Sequence, residues 1–293
     1  MLRLLPAALL LVLLAGPARA QTPVDLQLVL AVDISRSMDQ DEQSLQRAGY
    51  VAALRDPQVI AAIQGGPLGR IALTYVEWAG QGLQTVLVPW TLIDGADSAG
   101  LVADALAVQP LQRLRRTSIS NALTFSASHF ETSGFTSPRR VIDISGDGPN
   151  NQGFEVTEAR DAVIDQGITI NGLPIMLKTG YPSGFFDVQN LDLYYEDCVI
   201  GGFGAFLVTV QDVGEFAGAI RRKLILEIAG RAPAPRAVPA QWSPMQGTPM
   251  QGTPGQGTPG QGSQLRGTPV QGFAGTDCQI GEKLWDSWMR GAE

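Results

Sequence analysis

The run Leu26 to Val32 (LQLVLAV), followed at once by Asp33-Ile34-Ser35-Arg36-Ser37, constrains this chain more than any other feature. A short, almost wholly apolar run has the length and composition of a strand buried on both faces, as in a parallel sheet. A carboxylate and two hydroxyls at alternate positions then leave its carboxyl end together. Open α/β sheets bind ligands at that end. Oxygen-only donors of this kind suit a hard cation such as Mg2+, Ca2+ or Mn2+.

Strand and helix patterns alternate from Val24 to Gly230. Strands are predicted over Val24–Val32, Ile71–Trp78, Thr85–Trp90, Arg140–Ser145, Thr169–Leu177 and Phe206–Val210. Helices are predicted over Asp41–Leu54, Pro57–Gln64, Ser98–Ala107, Ser118–Phe130, Glu155–Gln166 and Val213–Ala229. Only Ala79 to Gln84 separates the second strand from the third, too few residues for a crossover helix, so that pair is antiparallel. Pro89 suits an edge position. The expected fold is α/β: a Rossmann-like, doubly wound, mostly parallel sheet with one antiparallel edge strand and helices on both faces.

Residues 1–20 have the pattern of a secretory signal peptide: Arg3, an apolar stretch from Leu4 to Ala15, and Ala18-Arg19-Ala20 as the cleavage signal, with cleavage after Ala20. The stretch is short for a membrane span. The mature chain is therefore expected to be exported, periplasmic or secreted, with no stable membrane span. It carries 19 basic and 28 acidic residues, a net charge of −9, which argues against a nucleic-acid partner. In an exported protein the two cysteines, Cys198 and Cys278, favour a disulfide over two free thiols.

Composition divides the chain further: a domain over 21–230, a Pro/Gly/Gln-rich linker over 231–275, and a tail over 276–293. In the linker a five-residue unit recurs, MQGTP at Met245 and Met250 and GQGTP at Gly255. It has little apolar content with which to offset its ordering entropy. In the tail, Ile280, Leu284, Trp285 and Trp288 share one helical face. That amphipathic segment is expected to dock on its own domain, helped by the cysteine pair, rather than on a partner.

Two later loops carry residues that match the first in chemistry. Thr117 precedes a predicted helix, and Asp147 follows the fourth strand. Each has a bland reading alone. Ser35, Ser37 or Thr117 suits a helix cap, and Asp147-Gly148 suits a turn. Together, in this order, Asp33, Ser35, Ser37, Thr117 and Asp147 resemble the metal-ion-dependent adhesion site of a von Willebrand factor type A domain. The resemblance extends over Val24 to Gly230 and is to an exported bacterial branch of that family.

That resemblance implies a divalent cation, Mg2+ first with Mn2+ or Ca2+ as alternatives. The hydroxyls of Ser35, Ser37 and Thr117 would bind it, with Asp33 and Asp147 acting directly or through water. Its open position would take a carboxylate from a partner protein, which makes a protein-binding module and not an enzyme. A Mg2+-dependent phosphohydrolase with Asp33 as nucleophile is the first alternative. Ser35 stands where such enzymes carry a second carboxylate, and His129 lies inside a predicted helix. A structural envelope protein whose metal only stiffens loops is the second. Gly146, Asn150 and Asn151 shape the metal loop or merely turn the chain. Arg113, Arg115 and Arg116 attract an acidic group or are solvated surface. Gly180 to Gly204, with Phe185, Phe186, Tyr194 and Tyr195, is either a partner-contact surface or a loop packed by its own aromatics.

Overall fold

A computed structural model describes residues 21–177, 188, 190–230 and 276–291. Strand β1 is Gln27–Asp33, β2 Ile71–Trp78, β3 Gln84–Ile93, β4 Arg140–Gly146 and β5 Thr169–Pro174. They form one sheet in the order β3-β2-β1-β4-β5, parallel except for the antiparallel β2–β3 edge pair. Helices are α1 Gln40–Leu54, α2 Pro57–Gln64, α3 Ala96–Ala107, α4 Ile119–His129, α5 Val156–Ile164, the short α6 Leu191–Tyr194, α7 Phe216–Ala229 and α8 Ile280–Gly291. The predicted leader 1–20, the linker 231–275, and Phe185 and Phe186 lie outside the described residues. Among those described, no helix is long and apolar enough to cross a membrane.

The alternation of β1 explains the layering. Leu28, Leu30 and Val32 face a core shared with α1, α2, α3 and α7, whereas Val29 and Ala31 face one shared with α4 and α5. Side chains along a strand point to opposite faces in turn, so a run buried at every position needs a helix layer on each side. The sequence expectation of a doubly wound sheet holds.

One predicted strand differs. Phe206–Val210 forms only isolated parallel bridges beside β5, Leu207 with Gly172 and Val210 with Ile175. The Gly172 amide donates to the Phe206 carbonyl (3.0 Å), Val208 N–H to Gly172 (3.0 Å) and Val210 N–H to Pro174 (3.0 Å). The next rung would need an amide hydrogen on Pro174, which proline lacks. The segment therefore runs parallel beside β5 with a gap in its ladder and does not form a continuous sixth strand. β1 also starts later than expected, at Gln27.

Inside the α1/α7 layer sits a buried ionic set. Lys223 on α7 pairs with Asp143 of β4 and with Glu227 one turn on, and all three are about 1% exposed. Asn171 Nδ2 of β5 donates to Glu227 Oε1 at 3.1 Å. Burial, and then the Asp143 carboxylate, push the Glu227 carboxyl up to about 8 from its ordinary 4.5. One cation between two carboxylates is balanced when one of them keeps its proton. The folded state thus holds a proton that the unfolded chain releases near 4.5. Stability should fall as pH rises from about 5 to about 8, by at most ~1.4 kcal/mol per unit. Urea melts at stepped pH should show this slope in the wild type and a flatter one in Glu227→Gln; equal slopes would refute it.

Candidate metal centre

Local capping decides what the site hydroxyls are free to do. Helix α1 is capped by Asp39, whose Oδ1 accepts from Glu42 N–H (2.8 Å) while Glu42 Oε2 accepts from Asp39 N–H (2.8 Å). This is a reciprocal capping box. Helix α4 is capped by Ser118, not Thr117. Ser35, Ser37 and Thr117 are therefore not spent on helix ends, and the bland reading of each falls away.

The carboxyl ends of β1 and β4 then bring four of the predicted residues into one hydrogen-bonded chain. Ser35 N–H donates to Asp33 Oδ1 (2.6 Å), the Ser35 and Ser37 hydroxyls share a hydrogen bond (2.6 Å), and Ser37 Oγ donates to Asp147 Oδ1 (2.6 Å). The fifth residue, Thr117, lines the same cavity as Ser35, Ser37 and Asp147, a space of about 490 Å³. Its backbone is clamped by Asn151, which accepts from Thr117 N–H through Oδ1 (3.0 Å) and donates its own N–H to the Thr117 carbonyl (2.9 Å). Asp33 lies beneath the others and is fully buried.

Asp33 supplies the strongest sign of a missing partner. Its Oδ2 is buried and accepts no hydrogen bond. Burial, and then repulsion from Asp147, hold its carboxyl well above the ordinary carboxylate range. A dication among these oxygens would reverse both effects. Two carboxylates and three hydroxyls fit a hard cation. Among the described residues no three or more His, Cys, Asp or Glu side chains cluster, so any such site depends on its hydroxyls. Gly146 makes the fit possible, because a Cβ there would stand 2.9 Å from both Asp33 Oδ2 and the Tyr195 hydroxyl.

The rim is cationic on one side. Arg36, Arg115 and Arg116 line the cavity, while Arg113 is tied to the Arg36 carbonyl at 2.9 Å. Arg116 is the one non-glycine described residue at positive φ, 73°, immediately before Thr117. Strained backbone of this kind gathers at functional loops. His129 is the last residue of α4, a helix of 11 residues and so about 16 Å long at 1.5 Å per residue, at the end away from Thr117, with its Nδ1 3.2 Å from the Phe125 carbonyl. It takes no part in the site.

Two sequence readings are decided by the described residues. Tyr194 and Tyr195 are fully buried, with the Tyr194 hydroxyl accepting from Asn150 N–H at 3.1 Å; they pack the domain rather than offer contact surface. The tail does dock on its own domain, through the Cys198–Cys278 disulfide (Cα–Cα 5.5 Å). What the sequence did not indicate is where. Trp285, Trp288 and Met289 of α8 line the cavity above the hydroxyls. The amphipathic face and the cysteine pair signalled docking but not its address.

The fold and this donor set define a doubly wound α/β domain with a candidate cation site at its switch point. Solved structures of similar fold share little sequence with it. Proximal thread matrix protein 1 from the mussel byssus is 13% identical at a TM-score of 0.52, over 71% of this chain and 49% of that one. The same mussel protein is also known with a zinc-occupied MIDAS motif, at a TM-score of 0.49, 13% identity and coverage of 71% and 49%. A von Willebrand factor type A structure from Catenulispora acidiphila is 15% identical over 70% of this chain and 43% of that one, at a TM-score of 0.49. The chain thus spans about half the length of the mussel protein, or less for the other. No curated protein matches its sequence. The chain belongs to the family described as protein of unknown function DUF1194, whose profile matches residues 23–232.

Proposed function

We propose that this protein is a metal-dependent, adhesion-type protein-binding module. Asp33, Ser35, Ser37, Thr117 and Asp147 hold a divalent cation, with Mg2+ as the physiological ion. When bound, the cation supplies a Lewis-acidic position that accepts a carboxylate of a partner protein. Hydroxyl donors leave much of its charge unquenched, and an anionic oxygen is the group such a cation prefers. The observation that carries this reading is the buried Asp33 Oδ2, which has no hydrogen-bond partner under a ring of hydroxyls not used for capping. The arginine rim favours approach of an acidic group. The same reading has residues 1–20 removed on export to the periplasm or beyond, and 231–275 as a spacer between domain and tail.

The test has two readouts. Calorimetry should detect Mg2+ or Mn2+ binding by the wild type and none by Asp33→Ala. Partner capture from a periplasmic extract should be lost with a chelator and competed by excess free aspartate. Capture that survives both chelator and Asp33→Ala would sink the proposal.

A further inference from the structure

Helix α8 lies against the same loop that builds the candidate metal centre. Asn150 Nδ2 donates to Glu282 Oε1 at 2.6 Å, and the neighbouring Asn151 clamps Thr117. Gly281 sits so close that a Cβ there would be 2.0 Å from the Asn150 carbonyl oxygen. The disulfide fixes the start of the helix. At the rim the Arg116 guanidinium stacks 3.2 Å from the centre of the Trp285 ring, a cation–π contact. Arg116 holds its positive φ in making this arrangement. Trp285 in turn packs on Trp288, with ring centres 5.0 Å apart.

Docking has not buried the end of this face. Trp288 is 44% exposed and Met289 48%, and both look into the cavity that holds Ser35, Ser37, Thr117 and Asp147. Large apolar side chains kept wet beside a polar centre mark a place for an apolar group.

We propose that α8 forms the apolar wall of the ligand site, so that the site selects a partner segment bearing an aspartate or glutamate beside a large apolar side chain. This rests on the metal-dependent reading above. The carboxylate goes to the cation, and the adjacent side chain goes to Trp288 and Met289. Charge decides between occupants: the arginines at the rim favour an acidic segment. A volume of about 490 Å³ accommodates a residue pair and not a folded surface.

The full, disulfide-bonded chain in saturating Mg2+ is titrated calorimetrically with two capped peptides. One carries phenylalanine beside aspartate, the other serine. The phenylalanine peptide should bind about tenfold tighter or better, the effect expected for burying one large apolar side chain. Trp285→Ala/Trp288→Ala should erase the difference. Gly281→Ala should do the same with both indoles present. Alanine is the better helix former, so its effect reports undocking and not helix loss. Equal affinities in the wild type, or failure of both peptides while Mg2+ still binds, would overturn this proposal and leave the metal centre standing. Tighter binding of both peptides by either variant would also overturn it, making α8 a cover and not a wall. So would tighter binding of octanoate than of the phenylalanine peptide, which would assign the wall to lipid. Absence of Mg2+ binding itself would instead refute the metal-dependent reading.

Discussion

Lys223→Met should destabilise the protein by about 3–5 kcal/mol, the usual cost of removing one partner from a buried ionic set. Lys223 is 1% exposed and lies between Asp143 and Glu227, which are each 1% exposed. Without the ammonium, the carboxylate that does not keep the proton is stranded in a dry site with no cation to balance it. The methionine fills a similar volume, so little of the loss comes from a cavity. The triple variant Lys223→Met/Asp143→Asn/Glu227→Gln should recover much of it, because no charge is then stranded. Urea denaturation of the three proteins at pH 7 is the measurement. A loss under about 1 kcal/mol in the single variant would mean that the set is not ionised as described.

The cluster also shows what the set does for the site. It ties α7 to mid-β4 through Asp143 and to β5 through Asn171. On the same face of β4, Ser145 accepts from Gln46 of α1 at 2.9 Å. A one-residue slip of a strand turns every side chain to the other face. These polar links hold β4 in the one register that brings Gly146 and Asp147 beside Asp33.

Legibility in the sequence followed the range of the interactions. β1 was plain because it is buried on both faces and so reads as a nearly unbroken apolar run, and β2 and β4 kept enough apolar residues to read as strands although Thr74, Glu77, Asp143 and Ser145 interrupt them. The hydroxyl–carboxylate set was legible because Asp33, Ser35, Ser37 and Asp147 end or follow such strands and Thr117 precedes a helix. Phe206–Val210 looked like a strand, yet its ladder depends on Pro174 in a different segment. Lys223 and Glu227 have the i,i+4 spacing of an ordinary solvated helix pair; only Asp143, eighty residues earlier in the chain, makes them a buried set. The address of α8 was hidden for the same reason. Its contacts are to Asn150 and Arg116, and nothing in the periodicity of the tail names them.

Asp33→Asn should separate stability from function at the candidate site. In chelator the variant should be as stable as the wild type or more so, by about 1–3 kcal/mol, because a buried charge without a full set of partners is removed. Asp33 faces the Asp147 carboxylate across the Ser35–Ser37 hydroxyls, and its Oδ2 has no hydrogen-bond partner. The amide keeps the acceptor for Ser35 N–H and drops the repulsion. Added Mg2+ should then stabilise the wild type, by about 2.7 kcal/mol at a hundred times its dissociation constant, and leave Asp33→Asn unmoved. Scanning thermal denaturation with and without Mg2+ gives both comparisons in one experiment. The two signs must appear together. A residue kept only for packing gives a loss in chelator and no difference in the cation response. A residue kept for a cation gives a gain in chelator and loses the response. If the variant is less stable in chelator and still gains from Mg2+, Asp33 is a structural carboxylate and the cation sits elsewhere.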